Sequence, residues 1–146
     1  MQIEIRIDET CSEPKIIVLT DKMTEEVSEI VRRLSDESAK TIAGFREDTA
    51  VVLDTDSLLR VYASNGRVYA QTDQGEYRLK LRLYELEQRL DKRAFVRISN
   101  SEIIHLKRVK RFDLSFAGTI CVVLSDGTTT YVSRRYVAGI RQNLGL

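Results

Sequence analysis

The sequence is poor in the residues on which linkers, membrane anchors and most catalytic sites are built. A single proline and seven glycines among 146 residues leave no room for a disordered linker. Its apolar runs, such as Ala50–Leu53 and Ile120–Leu124, are far too short to cross a bilayer as a helix. Residues 1–6 lack the basic-then-apolar layout of a secretion signal, so a cytoplasmic location is expected. The two cysteines, Cys11 and Cys121, stand far apart and match no metal or redox spacing; both are expected to be reduced and neither to be essential. His105 is the only histidine. Nothing resembles a nucleophile elbow, a paired-carboxylate site, a cluster of metal ligands or a Gly-rich phosphate loop. No cofactor or metal is therefore implied and no enzyme is expected. A lone histidine closing an Ile-Ile strand is expected to be a packed structural residue.

What the chain does have is an ordinary globular composition, 42% hydrophobic and 31% charged, and an uneven distribution of charge. Residues 1–44 carry six basic and ten acidic side chains, net −4, whereas residues 45–146 carry seventeen and twelve, net +5. From Arg78 onward fourteen basic residues face six acidic ones, net +8. Such a surface attracts a polyanion, although scattered solvated Lys and Arg would give the same count.

Taken in order, Ile3, Ile5 and Ile7 alternate with Gln2, Glu4 and Arg6, the period of a half-buried strand. Asp8–Pro14 reads as a turn, and Lys15–Thr20 as a second strand. The period then changes: Met23, Val27, Ile30, Val31 and Leu34 share one side of a helix, for which Thr20 or Asp21 is the natural cap. These elements predict a small strand-strand-helix unit over residues 1–40, too small to be stable alone and therefore packed on the rest of the chain or on a second copy. Ser38–Gly44, mostly polar or small, is the expected boundary.

Beyond it the pattern is mainly β, giving an α+β chain overall. Strands are predicted at Ala50–Leu53, Leu58–Ala63, Arg67–Thr72 and Glu76–Lys80, then near Val109–Phe116, at Thr119–Leu124 and at Thr128–Val132. Asn65-Gly66 marks a tight hairpin turn, since both residues tolerate positive φ. Leu83, Leu86 and Leu90 predict one short helix within Leu81–Leu90, and Arg134–Leu144 a terminal helix capped by Ser133, with Tyr136, Val137 and Ile140 inward. Between these helices, Phe95–Leu106 alternates apolar and polar residues around a Ser99-Asn100-Ser101 centre, and the basic stretch Lys107–Arg111 follows.

Three polar or basic clusters therefore punctuate the strand-rich region: Asn65–Arg67, Ser99–Ser101 with Lys107 and Arg108 beyond, and Ser133–Arg135. Arginine can hold guanine through two parallel hydrogen bonds, asparagine can do the same for adenine, and serine or lysine can anchor phosphates. Each cluster also has a purely structural use. Asn65-Gly66 serves the turn whatever the function, Ser133 can be a cap alone, and Asn100 can close a turn through its own side chain.

The order and spacing of these clusters resemble the LytTR domain, a β-rich DNA-binding module of bacterial transcriptional regulators. The resemblance runs from about Phe45 to Leu146. The family's motif Phe-x-Arg-x-His-x-Ser-x-x-x-Asn is echoed by Phe95, Arg97, Ser99, Ser101 and His105, with Ser99 standing for the histidine and His105 for the asparagine. The helix at Tyr84–Leu90, the turn Ser125–Gly127 and the Val132–Tyr136 segment match the family's preceding helix, last hairpin and Ser-Arg-x-Tyr signature.

What this resemblance implies is an elongated LytTR-like domain at residues 45–146 that inserts loops, rather than a recognition helix, into successive grooves of double-stranded DNA, over paired direct repeats. Carried over by position, Asn65, Arg67, Asn100 and Arg135 are the expected base-reading residues. Arg97, Ser99, Ser101, Lys107, Arg108 and Arg134 are the expected phosphate contacts. The departures at Ser99 and His105, and Tyr62-Ala63 where relatives carry a glutamate, imply a sequence preference different from that of relatives. Forty-odd N-terminal residues cannot hold a phosphorylatable receiver domain, so the chain resembles the stand-alone type of regulator. The acidic N-terminal unit is expected to mediate a homodimer, and a membrane-bound inhibitor protein would fit what is common for such regulators. The alternative is a protein-interaction module whose basic face serves an acidic protein partner.

Overall fold

The computed structural model describes residues 1–34 and 38–146, which fall into two units, one ending at residue 36 and the other beginning at 37. Among its described residues the first contains one helix, α1 (Glu25–Leu34). The Thr24 hydroxyl accepts the Val27 amide at 3.3 Å, so the cap is Thr24 and not Thr20 or Asp21. Glu25 and Glu26 in the first turn and Arg32 and Arg33 in the last complement the helix dipole. Neither predicted N-terminal strand forms: residues 1–8 and 14–20 have no ladder partner among the described residues, and the alternating isoleucines stay in solvent. A period of two selects an extended chain, but a strand needs a hydrogen-bonding edge beside it.

Among its described residues the second unit carries ten strands and two α-helices: β1 (Thr41–Arg46), β2 (Thr49–Asp54), β3 (Leu58–Ser64), β4 (Arg67–Thr72), β5 (Gly75–Leu79), α2 (Leu83–Arg89), β6 (Phe95–Ser99), β7 (Glu102–His105), β8 (Val109–Asp113), β9 (Ile120–Leu124), β10 (Thr129–Val132) and α3 (Arg134–Leu144). β1 occupies what the sequence suggested was a boundary. Its small residues are there for packing: a Cβ on Gly44 would sit 2.6 Å from Leu53 Cδ1 and 2.9 Å from Tyr77 Cβ.

Seven strands form an antiparallel sheet in the order β2-β1-β5-β4-β3-β7-β6, and β10-β9-β8 form a second sheet. The large sheet has a core on each face. One gathers Leu58, Val61, Leu79 and Ile103 with Leu83, Leu86 and Leu90 around α2. The other gathers Leu59, Ile98 and Ile104 with Ile120, Val122 and Leu124 of the second sheet and Ile140 of α3. Each fully buried Leu or Ile stabilises the fold by about 1.5–3 kcal/mol. Adjacent residues of β7, Ile103 and Ile104, serve opposite cores, as the pleat requires. Leu58 and Val61 serve the same core only because the β3–β4 register shifts between Leu58 and Arg60.

A polar network joins the two sheets beside the second core. Arg60 pairs with Glu102 at 3.2 Å and donates to Gln71 at 2.8 Å. Gln71 in turn donates to Asp126 and Thr128, at 2.8 and 2.7 Å. Glu102 also accepts from the Thr130 hydroxyl at 2.8 Å. Burial alone would raise the Asp126 pKa, but hydrogen bonds from Thr128 and Gln71 hold it below the ordinary carboxylate value. Further along this face Arg60 lies over the Tyr62 ring, 4.2 Å from its centre, and Tyr62 stacks on Tyr69. Burial and a hydrogen bond to Glu76 push the Tyr62 phenol up to about 12.

His105 is fully buried, stacked on Phe95 with ring centres 4.3 Å apart. Its Nδ1–H donates to the Leu58 carbonyl at 2.7 Å, while Nε2 has no partner among the described residues. Burial pushes its pKa below the ordinary 6.5, against the opposing effect of the Leu58 bond. It is a structural residue, as a lone histidine at the end of an apolar strand suggests.

Candidate functional site

The β3–β4 turn is the tight hairpin that Asn65-Gly66 requires, with φ of 52° at Asn65 and 76° at Gly66. Asn65 and Arg67 are exposed on it. Because β3 and β7 run antiparallel with Tyr62 opposite Glu102, the end of β3 meets the start of β7. The Ala63 amide donates to the Ser101 carbonyl at 2.8 Å, fastening the β3–β4 hairpin to the β6–β7 turn.

That second turn is built by its own residues. Ser99 pairs with Glu102, leaving Asn100 and Ser101 at the tip. The Ser101 amide donates to Ser99 Oγ at 3.2 Å, and the two serine hydroxyls lie 3.3 Å apart. Arg97 braces the turn from below. Its guanidinium donates to the Ser99 carbonyl at 2.9 Å and the Asn100 carbonyl at 2.6 Å, and it is paired with Glu87 of α2 at 2.5 Å. The Arg97 side chain, only 20% exposed, is thus committed to shaping the turn.

The start of α3 is tied to the same place. The Ser133 amide donates to the Ile98 carbonyl at 2.9 Å, and Tyr136 Oη donates to Asn100 Oδ1 at 3.0 Å. Ser133 does hold the cap position, although its hydroxyl makes no cap hydrogen bond and its carbonyl accepts the Tyr136 amide instead. Arg134 and Arg135 are exposed at this helix start. The loop between β8 and β9 joins them, since a Cβ on Gly118 would lie 3.5 Å from Arg134 Nε. Thr119 Oγ1 also donates to the Val132 carbonyl. This loop falls where the sequence predicts the end of one strand near Val109–Phe116 and the start of the next at Thr119–Leu124. It exposes Leu114, Ser115 and Phe116, and its own sequence has no basic residue to single it out.

Asn65, Arg67, Ser99, Asn100, Ser101, Arg134 and Arg135 therefore converge on one end of the large sheet. Lys107 and Arg108 do not. They lie in a single 3₁₀ turn at the far end of β7, where Arg108 donates to the Asp56 carbonyl at 2.9 Å and approaches Asp73 at 3.6 Å. Between α2, β6 and α3 lies a cleft of about 370 Å³ whose lining includes Glu87, Lys92, Phe95, Arg97, Arg135 and Tyr136. Among the described residues no three His, Cys, Asp or Glu side chains are grouped to hold a metal ion, and no helix is long and apolar enough to cross a membrane.

The convergent end thus offers exposed amides, hydroxyls and guanidinium groups on backbone that is hydrogen-bonded in place, the chemistry needed to read bases and hold phosphates. Comparison with known proteins identifies the family. Residues 48–145 match the family model described as the LytTr DNA-binding domain. An uncharacterised HTH-type transcriptional regulator of Staphylococcus aureus strain NCTC 8325 is 31% identical over 147 positions, covering 100% of this chain and 99% of that protein. Its counterpart in S. aureus strain MRSA252 is 30% identical over the same span. Among solved structures, a LytTr DNA-binding domain from Bacillus cereus superposes with a TM-score of 0.72, covering 75% of this chain and 100% of that one at 20% identity.

Proposed function

The chain belongs to the LytTR DNA-binding family, and from that premise we propose that it is a cytoplasmic transcriptional regulator that binds double-stranded DNA in a sequence-specific manner through loops. The observation that carries this reading is the convergence of the β3–β4 turn, the β6–β7 turn and the start of α3, fastened by the Ala63–Ser101, Ser133–Ile98 and Tyr136–Asn100 hydrogen bonds. A helix-turn-helix does not compete for the role. The described α-helices of residues 38–146 are α2 and α3, and five strands separate them.

In this reading Asn100 and Arg135 contact base edges, with Asn65 or Arg67 as the third contact. Tyr136 holds Asn100 Oδ1, which restricts the amide before DNA arrives and lowers the ordering cost of binding. Ser101 and Arg134 face phosphates, as does the Ser99 hydroxyl when DNA draws it from the turn. Arg97, whose donors are engaged by two carbonyls and Glu87, supports the turn rather than touching the ligand. Lys107 and Arg108, expected as phosphate contacts, belong to the opposite end of β7, so any phosphate they meet lies away from the base-reading loops. Two copies bound to paired direct repeats would raise the effective concentration of the second domain at its site.

Selection of bound duplexes from a random pool tests this function. A recurrent motif, with binding that weakens as salt rises, is the expected result. A pool that remains random after successive rounds would sink it.

A further inference from the structure

Ile3, Ile5 and Ile7 are 87, 86 and 93% exposed. They alternate with Gln2, Glu4, Arg6 and Asp8, and a direct ion pair at 3.1 Å joins Glu4 and Arg6 on the other side of the segment. A segment with one apolar and one charged side, and with no ladder partner among the described residues, has the side-chain pattern of an unpaired strand.

We propose that the partner is a second copy of this chain, paired antiparallel over Gln2–Asp8 about a two-fold axis at Ile5. This pairing rests on the dimeric reading of the function given above and names its contact. The sequence itself selects the register. With Ile5 opposite its own copy, Ile3 faces Ile7, Glu4 faces Arg6 and Gln2 faces Asp8, so all six isoleucines share one side and both charge pairs are complementary.

Every neighbouring register is worse. Centring on Glu4 sets two glutamates opposite one another, and centring on Arg6 sets arginine against arginine and Glu4 against Asp8. A shift of one residue puts isoleucine opposite a polar side chain, and parallel in-register pairing stacks like charges. Lys15–Thr20, whose Ile16, Ile17 and Leu19 are also exposed, supplies a strand for each outer edge, since a two-stranded ribbon alone is marginal in water. The two-fold axis concerns the N-terminal segments and sets no orientation for residues 38–146.

The test is sedimentation equilibrium of the full chain. Wild type is expected to be dimeric. Glu4→Arg and Arg6→Glu alone should each weaken association about tenfold or more, because each places like charges opposite one another twice. An equimolar mixture of the two variants should restore it, since the heterodimer pairs two arginines with two glutamates. In a Cys11→Ser background, Ile5→Cys should cross-link between copies on mild oxidation much faster than Glu4→Cys. A monomeric wild type, single variants that associate normally, or a mixture no tighter than its components would overturn the pairing. Because none of these readouts uses DNA, failure of the pairing and failure of the DNA-binding function are separately visible.

Discussion

Residues 1–20 and β7 carry similar alternating or continuous runs of isoleucine, yet only β7 becomes a strand. Ile103 and Ile104 lie between β3 and β6 and enter two cores, whereas Ile3, Ile5 and Ile7 have no neighbouring edge and remain in water. The difference shows that hydrophobic period fixes which side a residue faces, while the available hydrogen-bonding edge decides whether a sheet forms. For the N-terminal segment the edge is supplied by a second chain under the pairing proposed above.

The sharpest way to break this contrast is by truncation. Ile104→Ala should destabilise the fold by about 2–5 kcal/mol in urea unfolding, through lost burial and the cavity left behind. Ile5→Ala, measured at concentrations low enough to keep the chain monomeric, should stay within about 0.5 kcal/mol of wild type. Equal effects would mean that residues 1–8 are packed.

Removing one partner of the ion pair that joins the sheets comes next. Arg60 and Glu102 side chains are 18% and 10% exposed, so Glu102→Ala should cost about 1–3 kcal/mol by leaving Arg60 without its carboxylate and the Thr130 hydroxyl without its acceptor. The corresponding exposed pair between Glu4 and Arg6 should contribute nothing measurable to unfolding of the monomer.

A pH series sharpens the comparison within the core. His105 is held neutral in the fold, with its pKa below the 6.5 of the unfolded chain, so the unfolded chain binds the proton first as pH falls. The stability it lends is complete above that value and is lost as pH falls toward the folded pKa, with a slope of at most about 1.4 kcal/mol per pH unit. His105→Asn should remove this component of the slope while Cys11→Ser leaves it intact. A smaller effect is expected from Tyr136→Phe, which frees Asn100 and should weaken DNA binding by about 0.5–1.5 kcal/mol without changing unfolding by as much.

Much of the second unit was legible because its signals are local. Asn65-Gly66 dictated a turn, Leu83, Leu86 and Leu90 a helix face, and Arg134 the first residue of α3. β1 was not legible, because Gly44 answers to Leu53 and Tyr77 rather than to its chain neighbours. Nor was the Arg60–Glu102 pair, whose members lie 42 residues apart and meet only through the β3–β7 register. For the site, the three loops could be named from sequence. Which residues share an end could not: Lys107 is six residues from Ser101, but β7 lies between them and carries it away. The bracing role of Arg97 and the approach of Gly118 to Arg134 likewise depend on tertiary contacts.

Under the proposed function one end of the sheet reads DNA bases and the other does not. The most direct measurement compares the motifs selected by Arg135→Ala and Lys107→Ala from the same random duplex pool, with affinities for the wild-type site. Arg135→Ala is expected to lose about 1–3 kcal/mol on that site and to relax discrimination at one position of the motif. Lys107→Ala is expected to weaken all duplexes slightly and equally, leaving the motif unchanged. A motif altered by Lys107→Ala and untouched by Arg135→Ala would contradict the account.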